Sequence, residues 1–69
     1  MTSKNPIDLA NSFEECQGDF TRLGRSISAT LVTLYRNNTP SYRDKQNLRI
    51  GMEAMQKSLQ QLADNLREL

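Results

Sequence analysis

The sequence predicts an all-α fold, an antiparallel two-helix hairpin, and three observations support it. Apolar residues recur at alternating spacings of four and three, proline-bearing helix starts divide the chain into two arms of similar length, and no segment alternates with a period of two as a strand would. We expect one domain over residues 1–69, with a helix at about 6–36, a turn at 37–39 and a helix at about 40–69.

The first arm opens with a helix-start signal. Asn5 can cap a helix, Pro6 suits the first helical position, and Asp8 lies near the positive end of the helix dipole. The apolar stripe that follows consists of Leu9, Phe13, Cys16, Phe20, Leu23, Ile27, Thr30 and Leu34. Gly18 leaves two structures open, because it can either lie within a continuous helix or end a short N-terminal one.

The segment Asn37–Pro40 is predicted to end one helix and begin the next. An asparagine can adopt the left-handed conformation that closes a helix, while Thr39 would cap the second helix with Pro40 at its first position. We expect Tyr35 and Tyr42, on either side of this segment, to pack across the turn.

The second arm carries the strongest pattern, a heptad seam typical of a coiled coil. Its members are Leu48, Met52, Met55, Leu59, Leu62, Leu66 and Leu69, spaced by four and three throughout. Gly51, Ala54 and Ser58 lie beside this seam, and their small side chains favour close approach of the two backbones.

Composition argues against catalysis. The chain has no histidine and one cysteine, so the commonest general base, the commonest metal ligand, an internal disulfide and a multi-cysteine zinc site are all missing. We therefore expect no enzyme and no metal or cofactor, with Cys16 as a small buried apolar residue. Because no apolar run approaches about 18 residues and the start lacks a secretory signal, we expect a cytoplasmic chain without a membrane span.

Charge is unevenly distributed, although the net charge is only +1. Residues 1–20 carry a net −3 and residues 21–57 a net +5, with Arg36, Arg43, Lys45 and Arg49 near the turn. These side chains could contact RNA, but the chain contains no nucleic-acid-binding motif, and an arginine at a helix C-terminus is also explained by the helix dipole. We do not expect nucleic acid to be the partner.

Two helices cover each other on one side only, so a lone hairpin leaves apolar surface in water. We expect the hairpin to self-associate or to bind a larger protein. The candidate contact residues lie on the second arm: Ile50, Met52, Met55, Leu59, Leu62 and Leu66. For Met52 and Met55 the alternative is that they fill the seam between the two helices.

The run YRNNTPSYRDKQNLRIGMEAMQKSLQQLADNL resembles the second half of the YscE, PscE and EscE family of type III secretion co-chaperones. The resemblance lies in a polar turn after Arg36, a proline-bearing helix start, Tyr42 just inside the second helix, and a long amphipathic helix that includes Ala54. It covers about residues 21–66.

This resemblance implies a cytoplasmic virulence-associated co-chaperone that binds a helical-repeat chaperone. Together they would keep the needle subunit from polymerising before export, and the second-arm stripe would make the contact. Three alternatives stay open: a needle or filament subunit, a homodimeric four-helix-bundle regulator able to bind RNA, and a subunit of an unrelated coiled-coil scaffold.

Overall fold

The structure, a computed structural model, describes residues 6–68 and consists of two antiparallel helices, α1 (Pro6–Asn37) and α2 (Tyr42–Arg67). They form a rod with extents of 56 × 14 × 13 Å. The predicted all-α hairpin is confirmed. Because α1 continues without interruption through Gly18, the alternative of a short broken N-terminal helix is wrong. Asn5, the expected cap, and Leu69, the expected end of the heptad seam, lie outside the described residues.

The end of α1 agrees with the sequence prediction. Asn38 adopts a left-handed conformation, with φ of 66°, and its N–H donates to the carbonyl of Leu34 at 2.9 Å. This geometry satisfies one of the carbonyls that the helix end leaves without a partner.

The start of α2 differs from the prediction, because Ser41 rather than Thr39 is its cap. The Ser41 hydroxyl accepts from the N–H of Asp44 at 3.1 Å, and the Asp44 carboxylate accepts from the N–H of Ser41 at 3.3 Å. This reciprocal capping box requires an acceptor three residues after the cap. Ser41 has Asp44 there, whereas Thr39 would have Tyr42, whose side chain cannot return the bond.

The prediction that two tyrosines pack across the turn is wrong. Tyr35 is 84% exposed and Tyr42 is 77% exposed. Thr33 faces α2, and Tyr35 lies two residues further along α1, which rotates it by roughly 200° around the helix axis. Tyr42 instead accepts a hydrogen bond through its hydroxyl from the amide of Gln46 at 3.1 Å within α2.

The line along which the helices face each other is polar, and we call it the polar seam. It consists of Ser12, Asp19 and Thr33 of α1 with Asp44, Ser58 and Asn65 of α2. The Ser58 hydroxyl donates to Asp19, and the Asn65 amide donates to Ser12. These two pairs are seven residues apart on each helix, so one hydrogen-bonded contact recurs every two turns.

Seven residues before Ser58, on the turn side of both pairs, Gly51 allows the helices to approach closely. A Cβ at this position would lie 3.1 Å from Leu23 Cδ1 and 3.6 Å from Leu23 Cα. The expected role of Gly51 is therefore confirmed, since its missing side chain is the space that Leu23 fills.

Candidate protein-binding surface

Many of the large apolar residues lie beside the polar seam, whereas Leu23 packs against Gly51 between the helices. Two rows are involved, each spaced by seven residues: Phe13, Phe20, Ile27 and Leu34 on α1, and Met52, Leu59 and Leu66 on α2. Each of them directly follows a position that faces the other helix, as Phe13 follows Ser12 and Leu59 follows Ser58. One residue corresponds to a rotation of about 100°, so these side chains point sideways from the line of contact.

Both rows lie on the same side of the hairpin. Phe13, Cys16 and Phe20 of α1 line one groove together with Met55 of α2. Leu62 follows Met55 by seven residues, so it lies on the same side of α2. We call this side the apolar face; it comprises the two rows together with Cys16, Leu23, Leu48, Met55 and Leu62.

The apolar face is largely open to water. The six row members Phe13, Phe20, Ile27, Met52, Leu59 and Leu66 are between 45% and 68% exposed. Beneath them, Leu23, Leu48, Met55 and Leu62 are half-buried. Cys16 is the only buried hydrophobic residue in the part of the chain that the structure describes, which confirms its expected burial. The hairpin thus folds with little apolar core of its own.

The opposite side of the rod, which we call the polar face, is lined mostly by hydrophilic side chains, with Ile50 and Ala54 among them. Its grooves are formed by Asp8, Asn11, Glu15 and Arg22 of α1 with Asn47, Lys57 and Gln61 of α2. The two faces together make the hairpin amphipathic as a whole, with the polar seam running between them.

Of the six predicted contact residues, the structure brings five together on the apolar face and separates one from them. Met52, Met55, Leu59, Leu62 and Leu66 share that face. Ile50 lines a groove on the polar face with Arg22, Ser26, Asn47 and Gly51. Ile50 lies on the other face because it is two residues from Met52 and is therefore rotated by roughly 200° around α2.

The candidate contact residues named from the sequence omitted the α1 contribution. Phe13, Phe20 and Ile27 make up half of the exposed row members, and their spacing of seven residues was the signal for them. Of the two methionines whose alternative is to fill the seam between the helices, Met55 is half-buried and lines a groove with Cys16 of α1, whereas Met52 is 50% exposed.

Acidic and basic side chains are concentrated in opposite halves of the rod, because the two helices pack antiparallel. The open half, residues 6–21 and 55–68, has six acidic and two basic side chains, a net −4. The turn half, residues 22–54, has six basic and two acidic side chains, a net +4. The open half contains Asp8, Glu14, Glu15, Asp19, Asp64 and Glu68 with Lys57 and Arg67. The turn half contains Arg22, Arg25, Arg36, Arg43, Lys45 and Arg49 with Asp44 and Glu53.

Asp44 links the polar seam to the start of α2. Hydrogen bonding from the Thr33 side chain lowers the pKa of this buried carboxyl, and the bonds to Ser41 lower it further, while burial opposes them. The Thr33 hydroxyl can also donate to the carbonyl of Ala29 at 3.2 Å. Asp44 is therefore held as a carboxylate against α1, which favours a structural role for it.

The described residues offer little for metal chemistry or for crossing a bilayer. Within residues 6–68, no three side chains of the metal-binding types are grouped to hold an ion. Neither α1 nor α2 has the continuous apolar character that a membrane-spanning helix requires. Against protein-family models, curated proteins and solved structures, the chain has no match.

Proposed function

We propose that this hairpin is a protein-binding module that uses its apolar face to cover the apolar surface of a partner. In its specific form the proposal is a type III secretion co-chaperone, which acts in the cytoplasm with a helical-repeat chaperone to keep the needle subunit soluble before export. The observation that carries the general proposal is the half-exposed apolar face. The specific form is supported by the resemblance of residues 21–66.

Burial of the apolar face against a partner would contribute a substantial free energy of binding. Full burial of a large apolar side chain contributes about 1.5–3 kcal/mol, so covering the exposed half of each row member recovers roughly 1 kcal/mol. Six such side chains lie on one side of the rod. Two of the α2 residues on this face, Met52 and Met55, have flexible thioether chains that adapt to an irregular partner surface.

The shape of the hairpin suits a capping role. The rod is 56 Å long, and this length matches roughly ten turns of a partner helix laid along it. A helical-repeat protein presents such helices side by side, and an apolar helix of a needle subunit could be enclosed between the two. Capping of this kind prevents polymerisation sterically, with no need for catalysis.

The test is co-purification of a tagged chain from cells that express the secretion apparatus, with Leu59→Asp compared to Ile50→Asp. Both substitutions place a carboxylate at an exposed apolar position of α2, but on opposite faces. We expect the unsubstituted chain and Ile50→Asp to retain a helical-repeat chaperone and the needle subunit, and Leu59→Asp to lose both. Circular dichroism should show that both variants stay helical.

Two outcomes would contradict the proposal. If Leu59→Asp retained the chaperone, the apolar face would not be the contact surface. If the unsubstituted chain retained neither a helical-repeat protein nor a needle subunit, the co-chaperone role itself would be wrong.

A further inference from the structure

The apolar face ends in two basic side chains near the turn, and these identify the kind of partner that fits it. We propose that the groove between the two rows accepts one amphipathic helix of a partner protein, about 20 residues long, with acidic side chains at the end that lies over the turn half. This inference rests on the general form of the proposed function, binding of a protein by the apolar face, and adds the shape and charge of the partner.

The groove between the rows has the form that a helix requires. Its floor is recessed, because Cys16 is buried and Leu23 and Met55 are half-buried. The rows stand out on both sides of it, with Phe13 51% and Leu59 50% exposed. Both rows repeat every seven residues, which is the periodicity at which the side chains of a third helix interdigitate with them. A helix in such a groove is held by apolar anchors one and two turns apart.

The length of the apolar face sets the length of the helix that covers it. Along α1 the face extends from Phe13 to Leu34, and along α2 it extends from Leu48 to Leu66. At about 1.5 Å per residue these spans are roughly 32 and 27 Å, whereas the whole rod is 56 Å long. One helix of about 20 residues covers this distance, so a single helical segment of a partner is sufficient.

Lys45 continues the α2 row at its turn end. It precedes Met52 by seven residues and directly follows Asp44 of the polar seam, so it lies on the same side of α2 as the row. Arg49 lies one turn further along, at the outer edge of the apolar face. Both side chains are exposed, and within residues 6–68 neither takes part in an ion pair. Unpaired cations at one end of an apolar groove favour acidic side chains on the helix that lies in it.

The same charge distinguishes a partner helix from a second copy of the chain. Apart from Lys45, the two rows consist of phenylalanine, isoleucine, leucine and methionine. The rows of a second copy would therefore bring no acidic residue to Lys45 and would add another lysine to the interface. Because covering a charge without a partner costs free energy, a helix of different sequence is the better occupant.

The first test uses a synthetic peptide in place of the partner. It has about 20 residues, leucine at both core positions of each heptad, glutamates in the turn at one end and a fluorescent label at the other. A matched peptide has lysines in place of the glutamates. Fluorescence anisotropy with the full chain should show one peptide per hairpin and tighter binding of the acidic peptide. Leu59→Asp should abolish the binding of both peptides, and Ile50→Asp should retain it.

The second test reverses the charge at the end of the groove. Lys45→Glu with Arg49→Glu should raise the dissociation constant of the acidic peptide about tenfold, because exposed charge pairs contribute a few tenths of a kcal/mol each and reversal replaces attraction by repulsion. The dissociation constant of the basic peptide should fall.

The matched control is Arg25→Glu with Arg43→Glu, which produces the same net charge. These two side chains are also exposed, but they directly precede positions that face the other helix and so lie toward the polar face. We expect this control to keep the preference for the acidic peptide.

Equal affinities for the two peptides, or equal effects of the two charge variants, would overturn the inference. Absence of peptide binding would overturn it as well, and sedimentation of the chain as a dimer would then assign the face to a second copy. If the peptides behave as expected but the tagged chain retains no chaperone in the co-purification, the co-chaperone role is wrong and this inference stands. If the chain retains the chaperone through its apolar face and Lys45→Glu with Arg49→Glu changes nothing, this inference is wrong and the proposed function stands.

Discussion

Removal of one hydroxyl from the polar seam, by Ser58→Ala, tests whether the hydrogen bonds between the helices stabilise the hairpin. Ser58 is 7% exposed and donates to Asp19, whose side chain is 15% exposed. Asp19 also pairs with Arg22 at 3.1 Å on the exposed side of α1. The substitution removes the only hydrogen bond to Asp19 from α2 among the described residues.

The expected magnitude follows from the charge and burial of this pair. A hydrogen bond to an ionised group contributes about 1.5–3 kcal/mol, and because Arg22 still partners the carboxylate we take about 2 kcal/mol. Alanine is the better helix former by about 0.5 kcal/mol, which offsets part of the loss. The net destabilisation is therefore about 1.5 kcal/mol.

Urea denaturation followed by far-ultraviolet circular dichroism measures this loss. With a urea dependence of about 1 kcal/mol/M for a small protein, the midpoint should fall by about 1.5 M. The protein concentration must be the same for all variants, because self-association makes apparent stability concentration-dependent.

The control is Ser28→Ala, at an exposed position of α1 that carries the same gain in helix propensity. We expect it to be slightly more stable than the unsubstituted chain. In a double-mutant cycle with Asp19→Ala, the coupling between residues 19 and 58 should be about 2 kcal/mol. If Ser58→Ala were as stable as Ser28→Ala, or if the coupling were near zero, the polar seam would not hold the helices together.

Two further substitutions address the closest contact and the acid sensitivity of the hairpin. At Gly24 an added Cβ meets nothing within 4 Å, whereas at Gly51 it lies 3.1 Å from Leu23 Cδ1. Thermal denaturation should show Gly24→Ala more stable by about 1 kcal/mol and Gly51→Ala gaining little or losing stability. Because the folded pKa of Asp44 is below its ordinary value of 3.8, its carboxylate stabilises the fold above that pH, and the stabilisation is lost as pH falls through the folded pKa. Asp44→Asn should make acid unfolding less steep in that range.

Each of these two predictions, for Gly51→Ala and for Asp44→Asn, has a result that would contradict it. An equal gain from Gly51→Ala and Gly24→Ala would mean that the helices are not in close contact at Leu23. For Asp44, acid titrations of helicity that superimpose for the variant and the unsubstituted chain would show that its hydrogen bonds contribute nothing to the fold. Each measurement needs only purified chain and circular dichroism.

Much of the fold was predictable because its signals are local. The left-handed residue of the turn was expected from asparagine chemistry, and Asn38 occupies that conformation. The cap of α2 was misplaced by two residues, since it depends on the reciprocal bond between Ser41 and Asp44 and not on the proline alone. Continuity through Gly18 is decided by packing over many turns, which outweighs the cost of one glycine in a helix.

The sequence alone determined two helices and their apolar stripes, because a heptad pattern states which side chains share one side of a helix. It did not determine which edge of the stripe meets the neighbouring helix. A shift of one residue turns the contact by about 100°, and the folded hairpin places Ser12, Ser58 and Gly51 on the line of contact, with Phe20 and Leu59 beside it. Only the tertiary structure shows the joined apolar face and the separation of charge between the two halves of the rod, because both arise when residues distant in the chain are folded side by side.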